Sequence, residues 1–247
     1  MRLLALVLLA ALAATPQVAA AKETPQPRQT FSVGPSTSIR FHTSSKSGWW
    51  GRIAVHIVGW NKSTVQLDRA TAQADTSGVT TNVTQSKNTL EITTSFHGSQ
   101  PRRRGILGLF GVADWGAVSV TYDVRIPTGS KVSLSLPNGD ATIKDVHGSI
   151  DGSTSNGDLS VTGASGQIDL RTSNGDIAVA LGALSSPPAI SLSTSNGDIR
   201  LAVPAGFNAK VKTSTANGKV VNPFQSGTGR GDVSLSTSNG DITLTKE

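Results

Sequence analysis

From Val132 to the C-terminus, apolar and polar residues alternate with period two in segments that share one register. Aligned on the residue after each Asn-Gly, or its equivalent, the anchors are Asp140, Asp158, Asp176, Asp198, Lys219 and Asp241, separated by 18, 18, 22, 21 and 22 residues. Eight positions before the anchor stand Val132, Ile150, Ile168, Ile190, Val211 and Val233; one position after it stand Ala141, Leu159, Ile177, Ile199, Val220 and Ile242. The columns six before (Leu134, Gly152, Leu170, Leu192, Thr213, Leu235) and three after (Ile143, Val161, Val179, Leu201, Asn222, Leu244) continue the same alternation. A period of two is that of an extended strand and not of a helix, so each unit reads as strand, turn, strand with one apolar face.

The turn lies at Asn138-Gly139, Asn156-Gly157, Asn174-Gly175, Asn196-Gly197, Asn217-Gly218 and Asn239-Gly240. Asn and Gly tolerate positive φ and so mark a repeated corner. Four positions before the anchor, Leu136, Thr154, Thr172, Thr194, Thr215 and Thr237 turn inward, so the threonines are expected to stack beside it. A unit of about 20 residues cannot bury its own apolar face, and successive units must stack at roughly 4.8 Å. The expected fold is all-β, a single-chain β-solenoid whose regular part is a rod of roughly 30 Å. An antiparallel meander or sandwich is the alternative, because Asn-Gly also suits a tight hairpin.

Upstream, alternating segments at Arg52 to Val58, Thr64 to Leu67, Thr89 to Thr94 and Val118 to Ile126 predict strands with irregular connections. Residues 22–30, with two prolines and no periodicity, read as a mobile leader. The N-terminus has a basic residue, Arg2, an apolar run from Leu3 to Ala14 and small residues ending at Ala21: a signal peptide cleaved after residue 21. The chain thus divides into 1–21 (signal peptide), 22–30 (leader), 31–130 (an irregular N-terminal β region of the same solenoid) and 131–247 (regular repeats). It is expected to be exported to the periplasm or the exterior, with no transmembrane segment after processing.

With the repeats laid out, the run VTYDVRIPTGSKVSLSLPNGDATIKDVHGSIDGSTSNGDLSV resembles the bacterial putative-adhesin family, a domain of unknown function built from β-strand repeats. The segment GRIAVHIVGWNKSTVQLDRA resembles that family's N-terminal strands, and the likeness covers roughly residues 31–247. The resemblance implies a β-solenoid-like fold and a location in or outside the cell envelope. It carries no catalytic motif and no functional residue to transfer.

Composition narrows the chemistry. The chain has no cysteine, which excludes disulfides, thiol catalysis, cysteine-held metals and an acylated N-terminal cysteine. Aromatic residues make up only 4%, so the core must come from Ile, Val and Leu in strands. The formal charge of +6 falls to about +5 after processing and favours anionic surfaces without requiring them. Nucleic acid is not expected as a partner, since no basic stripe is interleaved with stacking aromatics.

Stacked anchors would bring carboxylates roughly 5 Å apart, near the separation in retaining glycosidases. A carbohydrate-active β-helix enzyme is therefore the alternative to a non-enzymatic module. Catalysis needs one cleft where two pKa values are driven apart, and here one side chain recurs at similar corners. Calcium is a second use for stacked oxygen ligands; hydrogen bonding at the turn is the simpler one, and no metal or cofactor is expected. Lys219, between Asp198 and Asp241 in sequence, is expected to interrupt the ladder of carboxylates. The histidines at 42, 56, 97 and 147 have no metal-ligand spacing, and the sequons at Asn61 and Asn82 are expected to stay bare.

One segment, Pro101 to Trp115, joins Arg102, Arg103 and Arg104 to Leu109 and Phe110. It reads either as a contact loop for an anionic membrane or partner, or as a cap over an open end of the solenoid; Trp49-Trp50 invites the same two readings. The sequence thus predicts an exported, non-enzymatic surface or cell-envelope interaction module whose ligand could be glycan, protein or anionic lipid.

Overall fold

Alternate residues of an extended strand face opposite ways, and here the buried set is the apolar set throughout. The computed structural model describes residues 23–45, 51–72, 79–96, 119–184, 188–224, 229 and 231–247. The expected signal peptide, Trp49-Trp50, His97 and the segment holding Arg102, Arg103, Arg104, Leu109 and Phe110 lie outside the described residues.

The N-terminal strands are β1 (Glu23–Pro25), β2 (Gln29–Ser32), β3 (Ser38–Ser45), β4 (Arg52–Trp60), β5 (Thr64–Ala72), β6 (Val79–Ser86), β7 (Thr89–Phe96) and β8 (Ser119–Pro127). The regular part follows with β9 (Lys131–Lys144), β10 (Ile150–Asn156), β11 (Leu159–Ala164), β12 (Ile168–Asn174), β13 (Ile177–Leu181), β14 (Ile190–Asn196) and β15 (Ile199–Val203). It closes with β16 (Ala209–Asn217), β17 (Val220–Val221), β18 (Gly231–Asn239) and β19 (Ile242–Lys246).

The strands on either side of each Asn-Gly corner do not pair with one another. Each pairs in parallel with its counterpart in the next coil, so that Ile150, Ile168 and Ile190 stand in one row and Leu159, Ile177 and Ile199 in another. This is a β-solenoid, and the antiparallel meander or sandwich does not occur in the repeats. Two parallel sheets face each other across a core of Ile, Val and Leu, most of it under 4% exposed. Gly152 takes an inward place that other coils give to leucine; a Cβ there would lie 2.8 Å from Leu170 Cδ2, so Leu170 fills its space. Buried Tyr122 reaches across from one sheet to the other, its hydroxyl 2.6 Å from the hydroxyls of both Thr81 and Thr94.

Spatial order differs from chain order at both poles. In one sheet the pairings run β7, β3, β9, β10, β12, β14, β18, β16; in the other, β8, β4, β9, β11, β13, β15, β19, β17. The C-terminal coil β18–β19 is therefore inserted between β14–β15 and β16–β17, and β3–β4 is inserted between β7–β8 and β9. The carboxylate ladder expected to be broken by Lys219 is corrected by this order: Lys219 belongs to the last coil and has Asp241 on one side alone. At the opposite pole the edges are closed by antiparallel strands, β6 on β7 and β5 on β8.

Residues 22–30, expected to lie outside the fold, in part extend it: β1 and β2 both pair antiparallel with β5. Arg28 locks this edge through a fork to both carboxylate oxygens of Asp68, at 2.8 and 3.1 Å. That hydrogen bond is the main cause that lowers the Asp68 pKa and raises that of Arg28.

Two outcomes follow. Leu192 is 1% exposed, so Leu192→Ala is expected to cost about 2–5 kcal/mol in chemical denaturation, against roughly 0.5 or less for Ser193→Ala on the outer face. Equal losses would place the alternation in the wrong phase. Because Asp68 is depressed in the folded chain, its contribution is full above the ordinary carboxylate range and is lost as pH falls through the folded value. The stability gap between the native chain and Arg28→Ala is thus expected to stay constant from neutral pH down to about 5 and to shrink below about 4, measured by urea midpoints across pH.

Candidate functional site

The corner repeats because it is a hydrogen-bonding device between coils. At Gly157, Gly175, Gly197, Gly218 and Gly240, φ lies between 147° and 159°, while none of the corner asparagines has positive φ. A Cβ on any of these glycines would fall on the carbonyl oxygen of the corner glycine in the coil beneath. Glycine is thus required for close stacking as well as for backbone angle.

Three side-chain ladders run along the corner. Asn156, Asn174, Asn196, Asn239 and Asn217 each donate from Nδ2 to the Oδ1 of the asparagine in the preceding coil, at 2.7–2.9 Å. Each inward threonine donates from Oγ1 to the corner glycine carbonyl of the preceding coil, at 3.1–3.2 Å. In the third ladder, Oδ1 of Asp140, Asp158, Asp176, Asp198 and Asp241 accepts the backbone N–H of the anchor residue in the following coil, at 2.8–3.0 Å. The aspartate is therefore an acceptor for its neighbour rather than for its own turn.

Lys219 now has a reason. It donates its N–H to Asp241 as Asp158, Asp176, Asp198 and Asp241 do to the aspartates before them, but among the described residues no coil follows that would need a carboxylate from it. The polar inward residue Thr213 and the exposed Val220 belong to the same terminal coil.

The outward oxygens of the aspartates are balanced in part by arginine. Arg52 donates to Asp140 Oδ2, while Arg200 reaches Asp176 Oδ2 at 3.2 Å and Asp198 Oδ2 at 2.8 Å. Among the described residues no group of three or more His, Asp or Glu side chains is placed to hold a metal ion. The corner aspartates have Oδ1 already engaged and line neither of the depressions described below, so they do not form the paired carboxylates of a glycosidase cleft.

Outside the corner, the two sheets present different faces. On the face of β9, β10, β12, β14 and β18 the outward columns are rich in serine; one row runs Ser135, Ser153, Arg171, Ser193 and Ser236, with Arg171 paired to Asp169 at 2.7 Å. A shallow depression of about 330 Å³ lies on this face over Ala189, between Asp169 and Lys210. The other sheet has a depression of about 280 Å³ over Ala178, Ala180 and Ala202, beside Arg200. His56 lies on that second sheet with Nδ1 3.1 Å from Asp123 Oδ1, both exposed. His42 and His147 are exposed and apart from it. The sequence reading singled out the corner residues and the polar faces but missed Arg52, Arg200 and the His56–Asp123 pair; an arginine two residues after an anchor, in Asp198 and Arg200, was the available signal.

Residues 113–245 match the Toastrack DUF4097 family, and the chain belongs to it. Among solved structures, a putative cell adhesion protein from Clostridium sporogenes is similar at 12% identity over 91% of this chain and 100% of its own, with a TM-score of 0.50. A putative adhesin from Bacteroides fragilis is 15% identical over 92% of this chain and 97% of its own, with a TM-score of 0.39. The first of these likenesses is one of fold. No curated protein matches the chain.

The ladder makes an asymmetric forecast. Asp198→Lys removes an acceptor from the Asp241 N–H and is expected to cost about 1–3 kcal/mol, whereas Lys219→Asp, with no coil beyond it, should change stability by roughly 0.5 kcal/mol or less. Asp198→Asn keeps the acceptor and should recover most of the loss. Thermal melts of the three variants, with chelator and with millimolar calcium, check this; an appreciable calcium-dependent rise in the native chain would replace the hydrogen-bonding role with a metal-binding one.

Proposed function

We propose that this chain is an exported, non-enzymatic interaction module of the cell surface or envelope. The observation that carries the reading is the parallel register that β10, β12, β14 and β18 keep from coil to coil: it yields a regular stack with a serine-rich face and engages the repeated titratable side chain in inter-coil bonds. Repeated faces suit adhesion by many weak contacts, because linked contacts multiply in avidity while each stays weak. The word adhesion in the name of the Clostridium sporogenes relative agrees with it. Export rests on the N-terminal pattern of Arg2, apolar run and small residues. Among the described residues no helix is long and apolar enough to cross a membrane.

Envelope fractions incubated with the processed chain are expected to retain it without chemical change to their polymers. Release of reducing sugar from polysaccharide would overturn the non-enzymatic reading, and loss of retention against a scrambled-surface control would overturn the module itself. If the segment holding Arg102, Arg103 and Arg104 is a contact, replacing all three by serine should weaken retention on anionic vesicles while leaving the melting temperature nearly unchanged.

A further inference from the structure

We propose that the free edge of the last coil, β16–β17, accepts an extended acidic segment of a partner protein as one more strand. The proposal deepens the interaction-module reading and rests on it for its biological setting. Among the described residues β16 pairs with β18 alone and β17 with β19 alone, so the described stack ends with one unpaired side. Inside the stack, Val132, Ile150 and Ile168 send their N–H groups to the next coil at 2.8–3.0 Å, and the corner N–H groups of Gly157, Gly175, Gly197 and Gly240 do the same at 2.9 Å. Period two therefore turns the N–H groups of Val211, Thr213 and Thr215, and at the corner those of Gly218 and Val220, toward the free side.

Charge identifies the occupant. The terminal coil carries Lys210, Lys212 and Lys219 where its neighbour β18–β19 has Asp232, Ser234 and Asp241 in the same rows. Among the described residues none of these lysines holds an ion pair, although Asp232 stands beside Lys210 in the register. Val220 and Val221, at 42% and 56% exposure, add apolar surface at the same edge.

Lysine on an edge strand repels basic strands and disfavours neutral ones, against which its charge would lose hydration, but unpaired backbone donors beside three ammonium groups match an extended segment bearing carboxylates. A further coil of this chain's own kind does not fit, because Lys219 offers no acceptor for an incoming anchor N–H. Of the described edge strands at the other pole, β6 (VTTNVTQS) and β2 (QTFS) have no acidic residue and β1 has Glu23 alone, so a second copy supplies at most one carboxylate against three lysines.

The test uses the full processed chain and fluorescent ten-residue peptides of alternating valine and glutamate, read by anisotropy, with lysine-for-glutamate and N-methylated versions as controls. The acidic peptide should bind, the lysine peptide should not, and N-methylation of alternate residues should abolish binding. Lys210→Glu with Lys212→Glu and Lys219→Glu should weaken it by at least about tenfold. Thr213→Pro, which removes a free-side N–H while sparing the side paired to β18, should do the same with the melting temperature kept within a few degrees.

Equal binding of the N-methylated peptide would overturn strand addition whatever Thr213→Pro does to folding. Lysine-dependent binding to phosphatidylglycerol vesicles without peptide binding would overturn it in favour of a lipid surface. Retention on envelope fractions with no peptide bound removes the edge site and leaves the module reading; peptide bound without such retention does the reverse.

Discussion

A coil of this solenoid is not a complete hydrogen-bonding unit, and the rest of the structure follows from that. At the corner each coil sends Gly and apolar N–H groups to the next coil's carbonyls and takes the next coil's anchor N–H on its own aspartate. The exchange works at one spacing and one register. Hence the corner glycine, whose Cα sits against the carbonyl of the glycine beneath, and hence also asparagine and threonine in fixed places beside it. Side chains that form a ladder with identical side chains are self-consistent under translation, which is why one short polar phrase is written again and again.

The same dependence makes the ends of the stack its weak points. A solenoid wound in chain order would let its final coil fray after losing a single interface, since each layer is stabilised mainly by its nearest neighbours. Here β18–β19 is held between two coils, and so is β3–β4 at the other pole. Releasing the C-terminal strands therefore breaks two interfaces at once. The N-terminal pole solves the edge differently, turning β5 and β6 antiparallel so that the parallel ladder cannot continue.

Strand identity, the inward set and the solenoid class were legible in the sequence because each depends on a residue and its own coil. Val132, Ile150 and Ile168 could be aligned without knowing which coil touched which. Spatial order was not legible for the same reason: an alternating strand fits beside any other strand of the same register. The clues were the irregular residues. Thr213, Lys219 and Asn222 depart from their columns together, and such joint departure marks a coil with one neighbour rather than a flaw within the ladder. The strands at 23–25 and 29–32 escaped notice since edge segments held by antiparallel pairing and the Arg28–Asp68 fork need no apolar alternation of their own.

Function is constrained by what such a lattice can present. Among the described residues the faces hold only shallow depressions, one lined by alanines beside Arg200 and one between Asp169 and Lys210, neither of which is a deep contact. Recognition must then arise either by repetition across a face or where translation fails. It fails at the poles, and where two consecutive strands of different sheets are separated by more than an Asn-Gly corner, as β3 and β4 are and β7 and β8 are. Those connections hold Trp49, Trp50, Trp115 and the arginines at 102 to 104, and thus three of the chain's four tryptophans. A regular stack repeats one surface from coil to coil, and only where the repetition stops can a residue be chosen without regard to the ladder.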